Sequence, residues 1–233
     1  MQKTMFSELK SRADYNEIRD STLGMYNLLP QDVHDKYVLD VGANKGIFTT
    51  LSIEYGAKKV FAVEPNIDNF NNLLKYTEQH PSIHCLNYAA YDSSQSFVTM
   101  FDDDEQSKVS KNVNVQNMVP TITLSQLLQI IPSNENNLIL KVDCEGSEFP
   151  FLYSAKKEDI CRFEIIYIEL HGIPITGYSR EALDDFRDYL ISFGYNIEYS
   201  AWAFWQDIQP DGTLIKRENS ELPIFKMRRN YDL

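Results

Sequence analysis

Cysteine is scarce in this chain of 233 residues. Its three cysteines, Cys85, Cys144 and Cys161, are an odd number without C-x-x-C spacing, which supports neither a disulfide framework nor a zinc site. They are expected as reduced thiols in or near the core. Positive charge is also in deficit, with 22 lysines and arginines against 34 aspartates and glutamates and a formal net charge of −12. Nucleic-acid binding draws much of its free energy from cationic contacts to phosphate, so no nucleic-acid partner is expected. The late basic cluster Lys226, Arg228 and Arg229 is read as a solvated tail. No apolar run reaches the roughly eighteen residues that span a bilayer. The opening MQKTMFSELKSRADYNEIRD is too polar for the apolar centre of a signal peptide. A cytoplasmic protein without a membrane partner is expected. Repeats, low-complexity tracts and interdomain linkers are missing too, and the length suits one α/β domain over 1–233. No oligomeric state follows from the pattern, and a homo-oligomer is compatible with it.

Against these absences stands Val38-Leu-Asp-Val-Gly-Ala-Asn-Lys-Gly-Ile-Phe-Thr49. Val38, Leu39 and Val41 suit a strand buried on both faces. Gly42 and Gly46 allow a tight turn into a helix and let a ligand approach backbone with no Cβ in the way. About twenty residues later, Val60-Phe-Ala-Val-Glu-Pro65 has the pattern of a second strand ending in an acid, where a carboxylate can hold a ribose diol. Together the two features predict a nucleoside-cofactor site. A dinucleotide fold calls for G-x-G-x-x-G, whose later glycines admit pyrophosphate and pack helix on strand. Here Asn44 replaces the second glycine and the third is missing. The D-x-G-x-N-x-G turn better suits S-adenosylmethionine, whose positive sulfonium and ammonium groups favour a carboxylate such as Asp40 nearby. An NAD-dependent oxidoreductase and a noncatalytic protein that keeps the fold as an interaction surface are the alternatives.

Residues 1–36 have helical spacing that ends at Pro30, a lead-in able to cover the cofactor or the acceptor. From Val38 the pattern alternates. Strands are expected over 38–41, 60–63, 138–142 and 165–170, and helices over about 46–55, 66–79, 147–155 and 180–193. Such alternation, with further β-prone stretches at 196–199 and 222–225, predicts a doubly wound, mostly parallel seven-stranded sheet with an antiparallel edge strand. Over about 96–120 the rhythm breaks into β-prone pieces at 97–101 and 113–115 around the acids 102–105, an inserted hairpin with a solvated acidic turn.

Ordered segments carry a resemblance. VLDVGANKGIFT, GAKKVFAVEPN, NYAAYDS, the Thr-Ile-Thr-Leu run at Thr121, LILKVDCEGSEFPFL and IYIELH look like the successive blocks of the FkbM-type methyltransferases, from about Tyr37 to His171. The resemblance implies a class I (Rossmann-like) methyltransferase fold using S-adenosyl-L-methionine and, usually, transfer to an oxygen of a sugar or natural product. The expected activity is O-methylation of a hydroxyl on a sugar, glycan precursor or related small metabolite.

In a doubly wound sheet, ligands gather beyond the carboxyl ends of the strands. That rule selects Asp40, Gly42, Asn44 and Gly46 in the first turn, Glu64 as ribose acceptor beside Asn66, and Asn87 and Ala89 near the adenine. Glu64 could instead cap the next helix, and Asn87 could be a turn residue. Near the methyl group it selects Asp143, Glu145, Glu169 and His171. His171, after a buried strand and beside Glu169, is the candidate base for the hydroxyl proton, with a loop histidine bonded to Glu169 as the alternative. Glu148 is assigned a structural role. The four catalytic candidates could also bind a divalent ion, but no ligand-spacing motif supports one, and no metal is assigned. Trp202 and Trp205 are candidates for an acceptor pocket or for the core.

Overall fold

The computed structural model describes residues 22–77, 80–103, 106–110, 118–172, 177–208 and 214–231. Its main sheet has seven strands: β1 (Tyr37–Val41), β2 (Lys59–Val63), β3 (Ile83–Leu86), β8 (Leu138–Val142), β9 (Phe163–Glu169), β10 (Tyr195–Ile208) and β11 (Leu214–Arg229). The order is β10-β11-β9-β8-β1-β2-β3. Pairings from β9 to β3 are parallel, while β11 runs antiparallel to both β9 and β10. This is the mostly parallel, doubly wound architecture expected above, with antiparallel pairing at one edge.

Parallel strands need helical crossovers, which bury both sheet faces. The register shows the consequence residue by residue. Val38 pairs with Val60 and Ile139, and Ile139 with Ile165, on one face; Leu39 pairs with Phe61 and Leu140, and Leu140 with Ile166, on the other. The first set packs with Tyr26, Val33, Phe48 and Leu51. The second packs with Phe149, Leu152, Phe186 and Leu190. Flanking helices are α1 (Pro30–Val33), α2 (Ile47–Glu54), α3 (Ile67–Thr77), α4 (Leu124–Gln129), α5 (Glu148–Tyr153), α6 (Lys157–Ile160) and α7 (Arg180–Ile191). Helix α7 buries Leu183, Phe186 and Leu190, and Ser179 caps it by accepting from the Ala182 amide.

Several expectations change. Pro30 begins α1 instead of closing a helix, as suits a residue without an N–H in a first turn; residues 22–26 are helical, and 1–21 lie outside the described residues. The inserted hairpin becomes part of a second, four-stranded sheet. Here β4 (Ala89–Ala90), β5 (Phe97–Asp103), β6 (Gln106–Ser110) and β7 (Met118–Ile122) are ordered β4-β7-β5-β6. Asp102 and Asp103 belong to β5, while residues 104–105 and 113–115 lie outside the described set. Strands β10 and β11 greatly exceed their apolar patterns. Only Ile224–Arg228 of β11 pairs with β9, so beyond Glu169 the ribbon is held by its own antiparallel pairing. It carries the backbone of Trp202 and Trp205, whose side chains lie outside the described residues. The basic cluster is no solvated tail: Lys226 is 2% exposed and donates to Asp32 Oδ2 at 2.8 Å. Arg228 donates to Asp32 Oδ1 at 2.9 Å, because β11 lies inside the sheet and sets both beside a buried acid. Among the described residues no helix is long and apolar enough to cross a membrane.

Candidate active site

The turn after β1 passes through the left-handed region at Gly42 (φ +77°), Asn44 (+50°) and Gly46 (+86°). The sequence places a ligand against Gly42, and the structure also places protein there. A Cβ on Gly42 would stand 1.7 Å from the Asp143 carbonyl oxygen, so this glycine lets the loops after β1 and β8 touch. Asp40 is fully buried beneath the turn, opposite Lys141 in the β1–β8 register. Its Oδ2 accepts from Thr49 Oγ1 at 2.6 Å, and its Oδ1 is 3.5 Å from Lys141 Nζ. The ammonium of Lys141 thus meets the charge that the sequence reading reserves for a sulfonium. Lys141 also donates to the Gly42 carbonyl at 2.6 Å. Burial works to lower its pKa, but Asp143 and Asp40 prevail and hold it raised.

Glu64, at the end of β2, is 4% exposed. Its two oxygens accept from the Asn44 amide at 2.7 Å and the Asn66 amide at 2.8 Å. Each oxygen keeps lone-pair capacity for a further donor. Burial pushes the carboxyl up to about 7, against the pull of those amides and Lys141. Asn66 Oδ1 caps α3 by accepting from the Asp68 and Asn69 amides, both at 2.9 Å. Asn87 donates its side-chain amide to the carbonyls of Glu64 (2.9 Å) and Pro65 (3.0 Å), so its donors hold the loop in shape. Beside them lies a small cleft lined in part by Gly42, Val63, Pro65, Ala89, Cys144 and Ser147. Of the expected cofactor residues, Gly42 and Ala89 line this cleft.

The loop after β8 and the end of β9 bring together Asp143, Glu145, Glu169 and His171, as expected. His171 is 2% exposed. Its Nε2 lies 3.5 Å from Glu145 and 3.9 Å from both Asp143 and Glu169. Its Nδ1 is 2.8 Å from Glu148 Oε1, which also accepts from the Cys144 and Gly146 amides at 2.9 and 3.2 Å. Glu148 is therefore a hydrogen-bonding partner of the ring. Burial alone would lower the pKa of His171, but Glu148, Glu145 and Glu169 outweigh it and raise it well above the ordinary value. That direction favours the protonated ring in the unliganded site.

Glu169 differs from its neighbours. Burial first, and Asp143 next, push its carboxyl up to about 8 against the pull of His171. Asp143 is held low despite burial, by Lys141, His171 and the Tyr26 hydrogen bond. The Tyr26 hydroxyl donates to Asp143 Oδ2 at 3.0 Å and Glu169 Oε2 at 3.4 Å, bringing the segment before α1 onto the site. Sequence reasoning missed Tyr26 and Lys141 and gave Glu148 no part here. The one available signal was Glu148, an acid in the first turn of a helix.

Comparison with known proteins places these blocks. The profile described as the methyltransferase FkbM domain matches residues 40–197. A provisionally assigned RNA methyltransferase from Pyrococcus horikoshii superposes with a TM-score of 0.51 at 15% identity, covering 94% of this chain and 86% of that one. Precorrin-6y C5,15-methyltransferase from Geobacter metallireducens gives 0.50 at 12% identity, covering 95% and 92%. Identities this low speak for fold alone. A stretch of 49 residues is 45% identical to the histone-arginine methyltransferase CARMER of Aedes aegypti, spanning 21% of this chain and 7% of that protein.

Proposed function

We propose, from the premise that this chain belongs to the FkbM methyltransferase family, that it methylates a hydroxyl oxygen of a sugar, glycan precursor or related small metabolite, using S-adenosylmethionine. One observation carries this reading. The cleft beside Glu64 and the cluster of carboxylates around His171 meet at the Gly42–Asp143 contact, past the carboxyl ends of β1, β2, β8 and β9. When bound, the cofactor supplies an electrophilic methyl group on a positive sulfur. Glu64 accepts from the ribose hydroxyls, and the largely apolar cleft around Val63, Pro65 and Ala89 receives the adenine. Asp143 and Glu145 hold negative charge near the methyl position, where a positive sulfur is favoured. Glu169, ionised as pH rises through about 8, takes the hydroxyl proton as the new C–O bond forms, while Tyr26 and Lys141 hold Asp143 in place. The net charge of −12 favours a small-molecule or glycan acceptor over a nucleic acid. Mass spectrometry of a labelled methyl group, offered a panel of nucleotide sugars, oligosaccharides, RNA and histone peptides, tests this. Label on a carbohydrate hydroxyl is expected; label confined to RNA or peptide sinks the acceptor assignment.

Glu64 supplies a pH test. A carboxyl raised in the folded state stabilises the free protein below its unfolded value of 4.5, and that contribution is lost as pH rises through about 7. A ribose hydroxyl donating to Glu64 favours the ionised form. S-adenosylhomocysteine should therefore bind more tightly as pH rises toward 7, with proton release, and level off above it. Glu64→Gln should remove this dependence and weaken binding by roughly 1 to 3 kcal/mol. Calorimetry in two buffers of different ionisation enthalpy reads both effects, and pH-independent affinity in the native protein removes Glu64 from the ribose.

A further inference from the structure

We propose that Asp143, Glu145 and His171 bind one divalent cation of the Mn²⁺ or Mg²⁺ kind. The site deepens the methyl-transfer reading and rests on it only for the ion's part in catalysis; the binding itself stands on geometry. One donor atom from each of the three residues lies within 4.8 Å of the others. Two donors held about 2.0 to 2.4 Å from a shared ion are separated by no more than that. The distances from His171 Nε2 to Glu145 and Asp143, 3.5 and 3.9 Å, are too long for hydrogen bonds and suit two ligands of one ion.

The histidine adds an independent observation. Metal-binding imidazoles typically hand their second nitrogen to a carboxylate, which fixes the ring and raises its basicity. Glu148 does this at 2.8 Å from Nδ1. It is itself fully buried and anchored by the amides of Cys144 and Gly146. The other ring nitrogen is thereby directed at Asp143 and Glu145, where a bound cation takes the place of the ring proton. Charge points the same way. Asp40, Asp143, Glu145, Glu148 and Glu169 crowd around Lys141 and His171. Two buried carboxylate oxygens in the group, Asp40 Oδ1 and Glu148 Oε2, have no hydrogen-bond donor among the described residues. A dication offsets that excess of negative charge. One imidazole with two carboxylates suits a cation of the manganese kind over a thiophilic one. Asp143 and Glu145 are 26% and 25% exposed, which leaves coordination positions open toward solvent. There the ion would receive an acceptor hydroxyl, or two adjacent hydroxyls of a sugar, beside Glu169. The spacing of positions 143, 145 and 171 follows no linear ligand motif, which is why the sequence alone assigns no metal.

The test is a Mn²⁺ titration of the full chain after chelator treatment, followed by electron paramagnetic resonance, with and without S-adenosylhomocysteine. Saturable binding of a single Mn²⁺ is expected. Glu145→Gln and His171→Gln should each weaken it by at least the roughly ten- to hundredfold typical when only an outer partner is removed. Glu145→Gln, at a partly exposed position, keeps the test valid should the buried histidine variant not fold. No saturable Mn²⁺ binding, or binding unchanged in Glu145→Gln, overturns the site. If the acids serve only the sulfonium, no Mn²⁺ is retained and S-adenosylmethionine binds more tightly than S-adenosylhomocysteine. That result overturns the metal and leaves methyl transfer standing. Mn²⁺ bound by a protein that takes neither cofactor form keeps the ion site and sinks methyl transfer.

Discussion

Glu169→Gln should lose about two to four orders of magnitude in turnover at saturating acceptor, the range expected when a positioned proton acceptor is removed, while binding S-adenosylhomocysteine as the native protein does. The substitution keeps the shape of the side chain and an oxygen to accept from Tyr26. With its carboxyl raised to about 8, Glu169 is mostly neutral near pH 7, so a neutral amide in its place gives the fold no electrostatic reason to weaken. Glu169 is 7% exposed, at the end of β9 and on the rim of the carboxylate ring, where an acceptor hydroxyl reaches it without displacing the helix packing beneath. Single-turnover kinetics with labelled cofactor separate the chemical step from product release. A variant that turns over at the native rate would take the proton acceptor away from Glu169.

Gly42→Val should abolish the native fold or lower its stability by about 4 kcal/mol or more, a loss confined to a few mechanisms of which backbone strain and overpacking are two. Both act here. The residue sits at φ +77°, where a β-branched side chain is an outlier, and its Cβ would lie 1.7 Å from the Asp143 carbonyl oxygen. Backbone on both sides leaves no flexible atom to move. Gly46 is a milder case, since its Cβ would meet Leu73 Cδ1 at 2.6 Å, the far end of a side chain that can change rotamer. Urea unfolding followed by circular dichroism should rank Gly42→Ala well below Gly46→Ala in stability. A Gly42→Ala variant with native stability would show that the loops after β1 and β8 need not touch.

The positions of the parallel strands were legible because the apolar-rich stretches at 38–41, 60–63 and 138–142 suit strands buried on both faces and are followed by turn residues and helices. Strand β3 and helices α4 and α6 were not separately assigned. They are short, and burial against neighbours stabilises them more than any local pattern does. The long β10–β11 ribbon escaped for another reason. Backbone hydrogen bonds between the two strands sustain it, and those leave little trace in side-chain type.

The carboxyl-end rule singled out the loops after β1, β2, β8 and β9, and with them Glu64, Asp143, Glu145, Glu169 and His171, from residue types and strand order alone. Which of these groups touch was decided only in three dimensions. Tyr26 reaches Asp143 across 117 positions of sequence, and Lys226 reaches Asp32 across 194. His171 turns its Nδ1 to Glu148 instead of to Glu169, two residues away. Strand and turn propensities act over a few neighbouring residues and are therefore written in the chain. The partner of a buried charge depends on sheet register and helix packing, so Asp40 meets Lys141 and the charge of the site is set by contacts that no local spacing encodes.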